Sequence, residues 1–307
     1  MRDFLTGVEA RTRNRRTREF YERGLLRILL PFCEAEGIAE AAQLDQRAVD
    51  RLAADLNARR KADGSPLAQA SVASYLRAVR QFTRWAAGHK LLVQPVDVPR
   101  PRVPKPDLVA DVLTRAEMER LAQACATHRD RVLVQLLCQT GLRLGEALAL
   151  TADDLVDEGR QGKFVRVRHR SRGGGAKGDS TRSVPVRPAL FSALHGVARS
   201  RPADALTDRL FVTNRRRPNG EYAPLAQRTV QIMLKVAAER AGIQKPVHPH
   251  LLRHSFATDF MRTRRDPVTL QRYLGHADLT MIANAYSHPS DSDLYQSMLD
   301  YLRADGD

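Results

Sequence analysis

At 307 residues with 43% hydrophobic content, the chain is long enough for about two domains, each with a core of its own. The net charge of +15 is shared, with 20 Lys+Arg against 12 Asp+Glu in residues 1–105 and 30 against 23 in the remainder. No apolar run approaches the ~18 residues of a membrane span, nothing at the start reads as a signal peptide, and arginine far outnumbers lysine, so a polyanionic partner is expected rather than a membrane. A basic surface kept for solubility alone is the blander alternative. Cys33, Cys125 and Cys138 are far apart with no C-x-x-C, which argues against a disulfide framework or a cysteine zinc site and for a reduced, cytoplasmic setting.

Residues 1–16, with Arg11, Arg13, Arg15 and Arg16, read as a charged arm. Apolar residues recur at helical spacing over 17–36, and Pro31 should bend or end that helix. A second helix is expected over 45–60 with Asp45 as its N-cap. After the turn at Asp63-Gly64-Ser65-Pro66, a third should run over 67–87. Val72, Tyr75, Leu76, Val79, Phe82 and Trp85 form its core stripe. Arg77, Arg80 and Arg84 lie opposite, either along a phosphate backbone or as a solvated face. Five prolines between Pro95 and Pro106 favour an extended connection. The domains are therefore set at 1–94 and 108–307, joined by a linker at 95–107.

The second part opens on the capping-box pattern Thr114-Arg115-Ala116-Glu117. Helices are expected at 129–139 and 142–150. Alternation then marks strands at 164–168 and 182–186, flanking a glycine-rich tip at 173–179. Helical patterns return at 188–199, 225–241, 249–263, 267–274, 279–286 and 291–303.

The stretch His248-Pro249-His250-Leu251-Leu252-Arg253-His254 carries the chemistry. On a helix His250, Arg253 and His254 share one face. Together with the later Tyr286 they supply an anion clamp, proton-transfer groups and an oxygen nucleophile, which suits attack on a phosphodiester. Metal binding by the three histidines is the alternative; no H-E-x-x-H occurs, and Arg253 among them would repel a cation.

These boxes resemble the tyrosine recombinases, the phage-integrase family. Thr140-Gly141-Leu142-Arg143-Leu144-Gly145-Glu146 is similar to the family's first arginine box, and His250-Leu251-Leu252-Arg253-His254 to its H-x-x-R box. Leu274-Gly275-His276 followed by Tyr286 resembles the C-terminal box, and Lys177-Gly178 before Arg182 the hairpin lysine. The resemblance covers roughly residues 110–290, and 15–90 is similar in layout to the family's helical core-binding domain. It implies a mainly α fold: a SAM-like N-terminal domain plus a mostly helical catalytic domain with a small antiparallel sheet.

The implied function is a site-specific DNA recombinase working through a 3′-phosphotyrosine. A type IB topoisomerase-like transesterase and a catalytically inert recombinase-fold DNA-binding protein are the rivals. Arg143 and Arg253 would hold nonbridging phosphate oxygens; a surface ion pair with Glu146 is the plainer reading of Arg143. Glu146 would orient Arg143 or a histidine. Tyr286 would be the nucleophile, His250 the proton acceptor, His276 a donor to the phosphate, and Lys177 the general acid, or else an ordinary loop lysine. Tyr273 and Tyr295 are the rival tyrosines. Arg172 and Arg182 join Arg77, Arg80 and Arg84 as DNA-binding candidates. His276 and Tyr286 lie ten residues apart, one more than is usual in the family, which turns a helix by about 100° unless the 283–285 region absorbs it. No cofactor or metal is required. The expected partners are a double-stranded target site and further copies of the chain in a synaptic tetramer. The tail at 291–303 would dock on a neighbour or pack on its own domain. A cytoplasmic, nucleoid-associated location follows. With little chain before residue 17 for a separate arm-binding domain, a simple recombinase is favoured.

Overall fold

The computed structural model describes residues 1–12, 15–103, 112–168, 181–264 and 266–275. The expected glycine-rich tip, the helix at 279–286 and the tail at 291–303 lie outside these residues. The chain gathers into two compact units, one built on Met1–Lys105 and a larger one built on Pro106–His169 and Asp179–Asp307.

The opening stretch, expected as a charged arm, is instead a helix, α1 (Arg2–Thr12). Phe4, Leu5 and Val8 share one face and are 2%, 7% and 4% exposed, so an apolar stripe runs beneath the arginines. The Phe4 ring meets Tyr21, Phe82 and Trp85 edge-on at 5.5, 5.7 and 5.7 Å. This places Phe82 and Trp85 in the core, as their stripe implied. The next helix runs through Pro31 rather than ending there: α2 (Arg15–Gly24), a π-helical turn at Leu25–Leu29, and α3 (Leu30–Ala35) follow one another directly. Proline has no N–H, and its ring crowds the carbonyl four residues back. The wider π turn just before it fits that irregularity.

Asp45 caps α4 (Gln46–Ala58) by accepting from Ala48 N at 2.8 Å. The long helix α5 (Gln69–Gly88) buries Val72, Leu76, Val79 and Phe82. The proline stretch does not leave this unit at once. Val98 is 1% exposed within its core. Gln46 donates from Nε2 to the Asp97 carbonyl at 2.8 Å and accepts from Asp97 N at 2.7 Å. Arg80 donates to the carbonyls of Val98 and Pro99. The first part of the expected linker is thus a strap fastened to the first unit.

In the larger unit, Thr114 and Glu117 form the expected capping box at the start of α6 (Arg115–Gln123). The central helix α7 (His128–Thr140) packs against α6, α9 (Pro188–Arg199) and α11 (Pro249–Arg264). Val132, Leu133, Val134, Leu136 and Leu137 are all 1% exposed or less, because a helix covered on several sides is apolar on several faces.

The helix expected over 142–150 shrinks to α8 (Leu144–Ala147). Gly141, in the left-handed conformation at φ 60°, ends α7 and turns the chain until Arg143. Beyond α8 the Leu150 carbonyl accepts from Leu210 N, and Thr151 bridges to Arg209, which draws the backbone out of the helix.

A three-stranded antiparallel sheet follows, in the order β1 (Leu155–Asp157), β2 (Lys163–Val167), β3 (Arg182–Pro185). Val165 opposes both Leu155 and Val184, and Val167 opposes Arg182. Three residues are too few for β1 to show an alternation in the sequence. Helices α10 (Gln227–Arg240) and α12 (Pro267–Leu274) complete the described unit near their expected positions. The whole is mainly helical with a small antiparallel sheet, as expected.

Candidate active site

Three helix ends and the start of β3 build the site: the end of α7, the start of α11 and the end of α12, with Arg182 opening β3. At the first, a Cβ on Gly141 would lie 2.4 Å from Phe256 Cδ1 and 3.0 Å from Leu274 Cδ2, so steric room and positive φ both require glycine. The turn made there delivers Arg143 to the N-cap of α8. Glu146 reaches back, its Oε2 accepting from Arg143 N at 2.9 Å and its Oε1 from Arg143 Nη1 at 3.1 Å.

Arg182, the first residue of β3, faces the same carboxylate. Its Nη1 and Nη2 donate to Glu146 Oε1 and Oε2 at 3.1 and 2.8 Å. Its Nε donates to the Tyr273 carbonyl at 2.9 Å. Burial tends to raise the Glu146 pKa, but hydrogen bonds and charge from Arg182 and Arg143 outweigh it and hold the carboxyl below its ordinary value.

At the start of α11, the His248 Nδ1 accepts from Leu251 N at 3.1 Å, so this histidine caps the helix that Pro249 opens. One turn on, Arg253 is 2% exposed. It donates from Nη1 to the Gly141 carbonyl and from Nη2 to the Leu274 carbonyl at 2.8 Å. One side chain therefore joins the arginine box to the end of α12. Burial and the neighbouring Arg143 charge lower its pKa to about 10, which leaves it protonated at neutral pH.

The His250 and His254 rings meet edge-to-face, centroids 4.5 Å apart. His250 reaches the surface, yet partial loss of solvation and then the charges of Arg253 and Arg143 hold its pKa below the usual histidine value. A neutral imidazole beside two guanidiniums can accept a proton where a phosphate would sit. Among the described residues, no group of three or more His, Cys, Asp or Glu side chains is placed to hold a metal ion.

The structure thus gathers Arg143, Glu146, Arg182, His250 and Arg253. Lys177, Arg172, His276 and Tyr286 lie outside the described residues. Of the N-terminal candidates, Arg84 is exposed, Arg77 stacks its guanidinium 4.7 Å from the Phe20 ring centroid, and Arg80 holds the strap. Sequence reasoning missed Ser255, whose buried Oγ accepts from Leu113 N at 2.8 Å, and Lys245, which donates to the Val112 carbonyl at 2.9 Å. Nothing local marks either, because the partners are 142 and 133 residues away.

Residues 111–293 match the family model described as the phage integrase family. The chain belongs to that family. It is 33% identical over 275 residues to tyrosine recombinase XerC 2 of Ralstonia nicotianae, covering 86% of this chain and 74% of that protein. It is also 33% identical over 262 residues to tyrosine recombinase XerD of Mycobacterium tuberculosis, covering 80% and 79%. Among solved structures it is similar to the XerA recombinase, at 27% identity and TM-score 0.51 over 97% of this chain and 96% of that one. The Tn1549 transposon integrase in complex with transposon right end DNA is similar in fold, at 20% identity and TM-score 0.70 over 97% of both chains. As a phage-integrase member, the chain carries its gathered arginines and His250 inside the matched stretch. The fold is that of the tyrosine recombinases.

Proposed function

We propose that this chain is a site-specific recombinase that cuts and rejoins DNA through a 3′-phosphotyrosine on Tyr286. The observation that carries the reading is the convergence of Arg143, Arg253 and His250 around one site, with Glu146 and Arg182 braced behind. Arg143 and Arg253 bind the nonbridging oxygens of the scissile phosphate and stabilise the charge that grows in the pentacoordinate transition state. Tyr286 Oη attacks phosphorus and its proton passes to His250. The bond to the 5′-oxygen breaks as Lys177 protonates that oxygen, and His276 donates to the phosphate. A 5′-hydroxyl from another strand reverses the step, so the bond energy is conserved without a nucleotide.

In this reading residues 1–94 form a core-binding domain that grips duplex DNA together with residues 108–307. Arg84 and Arg172 contact its backbone, and Arg77 and Arg80 support that surface. The tail at 291–303, which carries Leu294, Met298, Leu299 and Leu302, docks on a second copy within a synaptic tetramer. Among the described residues no helix is long and apolar enough to cross a membrane; a cytoplasmic place beside the nucleoid suits the DNA substrate. The test is strand exchange between two distinguishable duplexes carrying the site that copurifies with the protein. Products joining strands from both duplexes are expected; relaxation of supercoils without exchange would assign a topoisomerase-like activity instead.

A further inference from the structure

We infer that Arg182 is a positioning residue that keeps Glu146 from competing with the scissile phosphate for Arg143. The inference rests on the recombinase reading above and reassigns a residue whose sequence position suggested a DNA contact.

An ionised carboxylate offers about four lone-pair sites. Among the described residues Glu146 meets four donors: Arg143 N, Arg143 Nη1, and both Nη atoms of Arg182. Arg182 therefore takes half of that capacity, in the two-pronged geometry a guanidinium favours. Arg143 meets the carboxylate side-on through Nη1 at 3.1 Å, the longest of the distances an Arg143 group makes to it.

Exposure divides the two arginines. The Arg143 side chain is 34% exposed, while those of Arg182 and Glu146 are 15% and 13% exposed. Arg143 is the more exposed of the two; Arg182 is enclosed, with its Nε given to the Tyr273 carbonyl. The next carbonyl, Leu274, is held by Arg253. Two arginines thus pin consecutive carbonyls at the end of α12, and one of them also takes two of the four acceptor sites on the carboxylate behind Arg143. Without Arg182 two acceptor sites on Glu146 fall open. Among the described residues Arg143, already bonded to this carboxylate, is then drawn into a two-pronged pair and away from the phosphate.

The consequence is a suppressor relation. Arg182→Gln should slow single-turnover cleavage about 10–100-fold at saturating protein, the scale of a misplaced catalytic group. Glu146→Gln keeps an acceptor for Arg143 N, since glutamine serves at this capping position as glutamate does, but it removes the counter-charge of Arg182 and turns an NH2 toward two donors, so alone it should also slow cleavage. The double variant Arg182→Gln/Glu146→Gln should recover most of the rate lost by Arg182→Gln, because the competing charge is gone. Binding to the same DNA should keep its dependence on salt. Should Arg182→Gln not fold, Arg182→Lys serves, since an ammonium keeps the charge but cannot fork onto both oxygens.

Additive or worse loss in the double variant would overturn the inference. So would a fall of about 0.9 in the slope of log affinity against log salt for the single variant, the signature of one lost phosphate contact. An intact chain that cleaves no DNA would instead refute the recombinase reading itself.

Discussion

His254 packs its ring edge-on against His250 and sits among groups that oppose its protonation. Burial, then the charges of His250, His248 and Arg253, push its pKa down to about 4. In the unfolded chain it titrates near the ordinary value of about 6.5. Between those two values the unfolded state binds the proton and the folded state does not, so stability is full above about 6.5 and is lost as pH falls toward 4. His248 and His250, also lowered, act in the same direction. Urea midpoints should therefore drop between pH 7.5 and 5, and His254→Phe, which keeps an edge-on ring, should flatten part of the drop; an unchanged slope would contradict this. At this scale the chemistry-bearing types were legible, because Arg143, His250 and Arg253 sit in short boxes with local spacing. The contacts of Arg182 were not, since its partners Glu146 and Tyr273 are 36 and 91 residues away.

Elements that announce themselves locally were legible too. Asp45 and the Thr114/Glu117 pair cap α4 and α6 as their spacing implied. The helix α1 was hidden because arginines dominate a stretch with only three buried apolar residues, Phe4, Leu5 and Val8. Legibility also failed where a distant segment decides the outcome, as at the entry to α11. Leu113 N, in a residue 2% exposed, donates to Ser255 Oγ, which itself donates to the Leu251 carbonyl within α11. The chain arriving from the proline stretch is thereby latched to the helix that carries His250 and Arg253, and Lys245 adds a second latch through the Val112 carbonyl. Ser255→Ala leaves a buried N–H without its acceptor, and should cost about 1–3 kcal/mol of unfolding free energy in urea titration. A change below about 0.5 kcal/mol would mean that the latch contributes little.

For the whole molecule, charge and the proline run carried most of what could be read early. Two basic halves pointed to a polyanion, and the proline run pointed to two bodies. What they could not convey is that the strap begins on the first unit, through Gln46 and Arg80. In the proposed mechanism the described site still needs an oxygen nucleophile, a general acid and a further phosphate donor, and Tyr286 is the proposed nucleophile. The direct measurement is to trap the protein on a nicked duplex carrying its site, digest the covalent complex, and map the nucleotide adduct by mass spectrometry. The account predicts a phosphotyrosine at Tyr286 that disappears in Tyr286→Phe, while that variant still binds DNA. An adduct on Tyr273 or Tyr295, or undiminished cleavage by Tyr286→Phe, would contradict it.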